Sequence, residues 1–315
     1  MWVNQGNISN KGMEFTINAI PVKTKNFEWQ LGGNISFNRN KIENIGSDIQ
    51  TAEIYLSPEH KELCNFFWGS TLKSSTSTQS ILNIFIEGQP MGLFYGMKSL
   101  GIVQLGEEWP AIGTDPHAKA KAGDIKYMDI DGDGCITEND RTIIGNPNPD
   151  FSFGFNTSFT WKDISVSADF NGVFGNDIYN YNLKADLNTN PTTTTLRNVR
   201  SAAYFEAWRI GKPSNTYPRL LYDDDFLSDR FVEDGSFLRL SNLTLSYTLN
   251  LNKKKSKILH RIIFSGSIGN VFVITKYSQW DPEVNSYGSD IGRYGIDAGS
   301  YPAQRTYSFD IKFTF

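Results

Sequence analysis

Residues 27–37 read Phe27-Glu-Trp-Gln-Leu-Gly-Gly-Asn-Ile-Ser-Phe37, with an apolar residue or glycine at every odd position and a polar residue or glycine at every even one. Successive side chains of a β-strand point to opposite faces, so this period of two predicts a strand with one apolar and one polar face. A tilted transmembrane strand needs about 9–11 residues, which this stretch supplies.

The same alternation returns in further segments, at residues 12–20, 151–161, 164–173, 237–249, 258–272 and 305–315. Aromatic residues stand at the ends of several of them, as in the girdles of membrane barrels. A soluble β-sandwich also has alternating strands. The length and the number of these segments favour an all-β fold, the C-terminal part of an antiparallel transmembrane β-barrel with about seven to nine strands.

The connections between these segments are of two lengths. Residues 21–25, 162–163 and 250–257 are short, whereas 174–236 and 273–304 are long and polar. Outer-membrane barrels have short periplasmic turns and long extracellular loops, and a sandwich has no reason for this asymmetry. The poorly patterned stretch 39–150 then contributes zero or two barrel strands, and 100–150 is predicted to be an extracellular loop region.

With this assignment the strand count is odd and the chain starts on the external side. Bacterial single-chain barrels have even strand numbers, so we expect further strands and a plug domain to precede Met1 in a longer protein. The first residues also lack the basic stretch and apolar core of a signal peptide, which agrees with this expectation.

Composition excludes several other classes of protein. The net charge of -4 and the absence of a large basic cluster give no reason to expect nucleic-acid binding. No apolar run is long enough for a membrane-spanning helix. Cys64 and Cys135 are the only cysteines, too few for a disulfide framework or a zinc cluster.

A calcium-binding motif occupies residues 129–140, Asp129-Ile-Asp-Gly-Asp-Gly-Cys-Ile-Thr-Glu-Asn-Asp140. Acidic residues stand at positions 1, 3, 5 and 12 and glycine at position 6, as in an EF-hand loop. The predicted Ca²⁺ ligands are the carboxylates, the Cys135 carbonyl and Thr137 through water, which gives the set Asp129, Asp131, Asp133, Cys135, Thr137 and Asp140. Aspartate at position 12 is shorter than the usual glutamate, so affinity is expected to be modest.

The surroundings of this loop do not predict the paired helices of a calcium sensor, because Gly123 and Asp124 precede it and Pro147 and Pro149 follow it. Calcium would therefore have a structural role and stiffen an external loop. The alternative is a solvated acidic turn that binds no metal.

No catalytic constellation emerges from the sequence, so the chain is not predicted to be an enzyme. A weaker alternative is a glycosidase that uses the acidic run Asp223-Asp-Asp225, but no second carboxylate is placed opposite it. Aromatic residues of the long loops could contact a substrate or pack within the loops, namely Tyr179, Tyr181, Tyr204, Trp208, Tyr217, Tyr222, Trp280, Tyr287 and Tyr294.

Several phrases, in order along nearly the whole chain, resemble the C-terminal region of the SusC/RagA family of TonB-linked outer-membrane transporters. They include Glu87-Gly-Gln-Pro-Met-Gly92, Gly123-Asp-Ile-Lys-Tyr127, Gly172-Val-Phe-Gly-Asn-Asp-Ile-Tyr179, Val232-Glu-Asp-Gly-Ser-Phe-Leu-Arg-Leu240 and Asp281-Pro-Glu-Val284. The aromatic strand ending at Phe315 looks like the terminal signal of an outer-membrane barrel.

The resemblance implies a large barrel in the outer membrane, in contact with its lipid, that imports oligosaccharides or peptides with a SusD-like surface lipoprotein. It also implies energy from the TonB complex through N-terminal regions that residues 1–315 do not contain. The alternative reading is a soluble or surface β-sandwich that binds carbohydrate and is stabilised by calcium.

Overall fold

A computed structural model describes residues 6–46, 49–72, 80–189, 198–222, 226–251, 258–284 and 286–315. Its strands are β1 (Asn7–Lys23), β2 (Phe27–Asn44), β3 (Gln50–Ser57), β4 (His60–Trp68), β5 (Asn83–Ile86), β6 (Leu93–Met97), β7 (Ser99–Ile102), β8 (Ile125–Tyr127), β9 (Arg141–Gly145), β10 (Phe151–Trp161), β11 (Ile164–Phe174), β12 (Asp177–Asn180), β13 (Val232–Asp234), β14 (Phe237–Asn250), β15 (Arg261–Thr275), β16 (Ile296–Asp297) and β17 (Thr306–Thr314).

Two short α-helices, α1 (Tyr181–Leu187) and α2 (Ser201–Phe205), follow β12. Single 3₁₀ turns lie at Glu138–Asp140, Asp229–Phe231 and Ile291–Arg293. Within the described residues, no helix is both long and apolar enough to cross a membrane.

The main architectural element is a seven-stranded sheet in the order β1-β2-β10-β11-β14-β15-β17, with every neighbouring pair antiparallel. The seven alternating segments of the sequence are therefore confirmed as strands of one sheet. Strands β1 and β2 extend beyond their predicted ends, to Asn7 and Asn44. The alternation fades there into polar residues, although the backbone pairing continues as far as Asn7 opposite Asn44.

The strand register aligns the alternating residues into continuous rows across the sheet. One row of the apolar face runs Ala19, Leu31, Thr157, Ala168, Leu243, Ile268, Tyr307. The next row, on the opposite face, runs Asn18, Gly32, Asn156, Asp169, Asn242, Gly269, Thr306. Because both rows hold through all seven strands, the sheet has one apolar and one polar surface.

The described residues leave most of the apolar surface uncovered. Phe15, Leu245 and Phe309 are exposed in 58%, 57% and 70% of their area, and Ile17, Trp161 and Phe313 are exposed as well. An exposed apolar surface that extends across seven strands is unusual on a monomeric soluble protein. A β-sandwich would pack such rows against a second sheet, so this surface disfavours the sandwich alternative.

Short and long connections between the seven strands lie at opposite ends of the sheet. Residues 24–26 and 162–163 make tight turns at one end, where Lys162 has a positive φ of 53°. The connections 45–150, 175–236 and 276–305 all lie at the other end. Together, these three connections are called the loop layer below.

The connection 45–150 is folded, although its sequence is poorly patterned. It contributes no strand to the seven-stranded sheet and instead forms a small closed barrel of β3, β4, β5, β6 and β9, with β7 and β8 paired separately. Strands β5 and β6 are buried at every residue. Strands covered on both faces do not alternate, which is why periodicity missed them.

The interior of the small barrel contains the buried cation of Arg141. The guanidinium of Arg141 donates to the carbonyls of Ile81 and Tyr95 and lies 5.1 Å from the ring centres of Trp68 and Tyr95. Burial lowers the pKa of Arg141 to about 10. Backbone acceptors and aromatic faces thus stabilise this charge inside the barrel.

Candidate functional site

The acidic loop 129–140 lies in the loop layer between β8 and β9. The structure brings Asp129, Asp131 and Asp133 together, with one carboxylate oxygen of each within 4.8 Å of the others. Asp131 and Asp133 are exposed and Asp129 is half-buried. Three converging carboxylates provide the hard oxygen ligands that Ca²⁺ prefers.

Hydrogen bonds to the Asp129 carboxylate shape the first half of this loop. Its two oxygens accept the backbone N–H groups of Gly132 (2.8 Å) and Gly134 (3.0 Å). Both glycines have left-handed backbones, with φ of 74° and 82°. A side chain would be strained there, so the glycines at positions 4 and 6 allow the turn that gathers the acids.

Asp140, the predicted ligand at position 12, has a different position from the other three acids. Its side chain is fully buried, and its oxygens accept the backbone N–H groups of Ile130 (2.7 Å), Asp131 (3.3 Å) and Thr137 (2.8 Å). Burial raises the pKa of its carboxyl above the usual value. Asp140 therefore holds the two ends of the loop together.

The other two predicted ligands lie next to this buried carboxylate. The Thr137 hydroxyl accepts the N–H of Asn139 (3.1 Å) and, with Asp140, caps the short 3₁₀ turn. The Cys135 thiol is buried and only its carbonyl was predicted to bind metal. The residues fit a calcium loop at the three converging acids, whereas Asp140 would have to share oxygens already engaged by the backbone.

Position 8 of the loop, Ile136, anchors it to its surroundings. Ile136 is buried, its N–H donates to the carbonyl of Ala111 (3.2 Å), and its own carbonyl accepts from Gly113 (3.1 Å). The side chain joins a core cluster that includes Tyr127 and Trp208. The acidic loop is therefore part of the packed structure of the loop layer.

An open cleft of about 430 Å³ lies beside the loop, between residues 110–125 and 219–222. Its wall contains Ile136, and its charged lining residues within the described ranges are Lys119, Lys121, Asp124 and Arg219. The Arg219 guanidinium lies 2.7 Å from an Asp124 carboxylate oxygen. Sequence reasoning missed this site, because the two segments that line it are far apart in the chain.

The aromatic candidates of the long loops divide by burial. Tyr179, Trp208 and Tyr222 are buried, and Trp208 donates to the side-chain oxygen of Gln104 (3.0 Å), so these three pack the loop layer. Trp280 and Tyr204 are exposed in 79% and 51% of their area. Only the exposed aromatics can present a ring to a ligand.

A buried ion pair fastens the connection 276–305 to the sheet. Arg239 of β14 donates to Asp281 (2.6 Å) and Glu283 (2.9 Å), and the other Asp281 oxygen accepts the N–H of Ala303 (3.1 Å). The Asn270 side chain accepts from Arg239 and donates to the Ala303 carbonyl. These contacts hold both ends of the connection at one point on β14 and β15.

The acidic run Asp223–Asp225, on which the glycosidase alternative depends, lies outside the described residues.

No family model matches the chain. Over 99% of its residues it is 30% identical to TonB-dependent receptor P3 of Formosa agariphila, and over its full length it is 27% identical to TonB-dependent receptor SusC of Bacteroides thetaiotaomicron. The chain spans 29% and 27% of these two receptors, about three tenths of the relatives it matches.

Among solved structures, the RagAB peptide transporter matches 99% of the chain with a TM-score of 0.71 and 20% sequence identity. The match covers 30% of that transporter chain. Similarity at this level of identity shows a shared fold. The fold expected from the sequence, part of an antiparallel transmembrane barrel, is thereby confirmed.

Proposed function

Because the chain is similar in sequence and fold to a segment of the SusC/RagA-type TonB-dependent receptors, we propose that it forms part of an outer-membrane transporter for oligosaccharides or peptides. Import would be the activity of a complete receptor, of which these residues supply one side of the wall and its loops. TonB-dependent receptors are not enzymes, and the expectation that this chain is not an enzyme is confirmed by that similarity.

The observation that carries this proposal is the two-sided sheet. Its apolar rows run through seven strands and stay uncovered by the described residues, while the opposite rows are amides, hydroxyls and acids. Lipid on the apolar side and a water-filled lumen on the polar side would satisfy both surfaces at once. The loop layer at a single end would then face the cell exterior.

The proposed partners follow from the relatives. A SusD-like surface lipoprotein would contact the loop layer, and the TonB complex would act through regions of the receptor beyond this segment. The exposed Trp280 and Tyr204 are available for a partner or for a substrate. Uptake by the complete receptor should stop when TonB is deleted, and uptake that persists without TonB would contradict the transport proposal.

The acidic loop would bind one Ca²⁺ through Asp129, Asp131 and Asp133, with the Cys135 carbonyl, Thr137 and Asp140 completing the shell. The convergence of three carboxylates supports this proposal. Bringing three negative charges this close costs free energy without a cation, so binding would stabilise the loop. Its role would be structural, since Ile136 ties the loop to the core of the loop layer.

Spin labels on neighbouring residues of β17 would test the position of the membrane. Phe309 lies in an apolar row and Ser308 in a polar one. A nitroxide at Phe309→Cys in the complete receptor, in lipid vesicles, should be relaxed strongly by oxygen and weakly by a water-soluble nickel chelate. The label at Ser308→Cys should have the lower oxygen-to-nickel ratio. Equal ratios at both positions would rule out a lipid-facing apolar surface.

A further inference from the structure

The cleft beside the acidic loop combines cationic and apolar surfaces. Its volume is about 430 Å³, and two exposed lysines, Lys119 and Lys121, line one side. Ile112 and Leu221 form exposed apolar lips. A space of this size accommodates one or two sugar rings or the end of a peptide.

Among the described residues, the positive charge of this cleft is not neutralised by its one acidic lining residue. One Asp124 oxygen lies 2.7 Å from the Arg219 guanidinium, and the other accepts the backbone N–H of Lys121 (2.9 Å). Asp124 is therefore engaged, and in the described part of the chain neither lysine ammonium has a carboxylate within ion-pair distance. Two unpaired ammonium groups favour an anionic ligand.

The backbone at the rim of the cleft is strained. Leu221 has a φ of 62°, in the left-handed region that a branched side chain rarely adopts, and its N–H donates to the Thr189 hydroxyl (2.9 Å). Despite the strain, the side chain points outward and is 62% exposed. Residues held in sparsely populated backbone conformations cluster at active sites and ligand clamps.

We propose that this cleft binds a carboxylate group of the substrate, with Lys119 and Lys121 as its counter-charges. Ile112 and Leu221 contact the adjacent apolar part of the ligand, either the CH face of a sugar ring or an alkyl side chain. The ligand class is thus a uronate-containing oligosaccharide or a peptide with a free C-terminus. This inference rests on the proposed function for its physiological meaning, because it names the substrate chemistry of the same receptor.

Binding to the purified complete receptor, measured by isothermal titration in detergent, tests the cleft. Two matched probe pairs separate the possible sources of carboxylate. Tetragalacturonate is compared with its methyl ester, and a hydrophobic tetrapeptide with its C-terminal amide. We expect the free acid of at least one pair to bind at least tenfold more tightly than its neutral form, with an affinity that falls as salt is raised.

The double variant Lys119→Gln/Lys121→Gln should lower the affinity for that acid about tenfold and leave binding of the neutral form unchanged, since exposed ion pairs contribute modestly. Lys25→Gln/Lys276→Gln is the matched control, because it removes the same charge from exposed positions away from the cleft. Both variants should retain the heat-dependent gel mobility of the folded barrel.

The acid that responds identifies the source of the carboxylate. Equal binding of acid and neutral probes, no binding of either acid, or an equal loss in the control variant would each overturn the proposal. Because the readout is binding, it is independent of transport. TonB-dependent import of a neutral substrate, together with equal binding of acids and esters, would remove the cleft proposal and leave the proposed function standing.

Discussion

A positive charge in the middle of the apolar surface provides the most direct test of the membrane orientation. Ile268 is the central residue of β15, between Leu243 and Tyr307 in an apolar row, and Ser267 next to it belongs to a polar row. From Ile268 to the turn end at Arg261 the strand rises about 23 Å at roughly 3.3 Å per residue. With a tilt of about 45° this places Ile268 about 16 Å from that end, close to mid-height of the apolar band.

At that depth, Ile268→Arg should destabilise the folded complete receptor in lipid vesicles by about 2–4 kcal/mol. Ser267→Arg, which adds the same side chain one residue away on the polar face, should change the free energy of unfolding by less than about 1 kcal/mol. Guanidinium-induced unfolding followed by tryptophan fluorescence measures both. If the two variants are destabilised equally, the apolar rows do not face acyl chains and the sheet is not part of a membrane barrel.

Three further predictions address the loop layer and the sheet. Arg239→Met leaves Asp281 buried without its partner, so it should lower the free energy of unfolding by about 3–5 kcal/mol and expose residues 276–305 to limited proteolysis. The control Arg39→Gln breaks the exposed Arg39–Asp150 pair and should cost under about 1 kcal/mol. Equal protease resistance of the two variants would contradict the role of Arg239 in holding this connection. Calcium should raise the melting temperature of the complete receptor and lower proteolysis near residue 131, and the variant Asp131→Asn/Asp133→Asn should abolish both effects. If calcium does not change the melting temperature of the unmodified protein, the loop is an acidic turn that binds no metal. Gly172→Ala should destabilise the barrel by about 1–3 kcal/mol, because the new Cβ would lie 2.5 Å from the Phe237 carbonyl oxygen. In the same unfolding assay the control Gly266→Ala should be close to neutral, because its new Cβ would have no heavy atom within 4 Å.

The sequence alone located the seven strands of the main sheet and separated its short turns from its long connections. This was possible because each strand has one apolar and one polar face, so the alternation records its surroundings directly. The acids of the calcium motif were also predictable, since their spacing and the two glycines encode a local turn. Three of those acids indeed converge, whereas Asp140 is buried against backbone donors.

Tertiary structure alone decided the rest. Strands β5 and β6 of the small barrel were invisible because strands buried on both faces show no alternation. The Arg239–Asp281 pair and the cleft between Lys119 and Arg219 join residues far apart in the chain, and no local pattern specifies such contacts. A periodic sequence records which side of a strand meets an apolar medium, but the partners of a charged side chain become definite only when distant segments pack together.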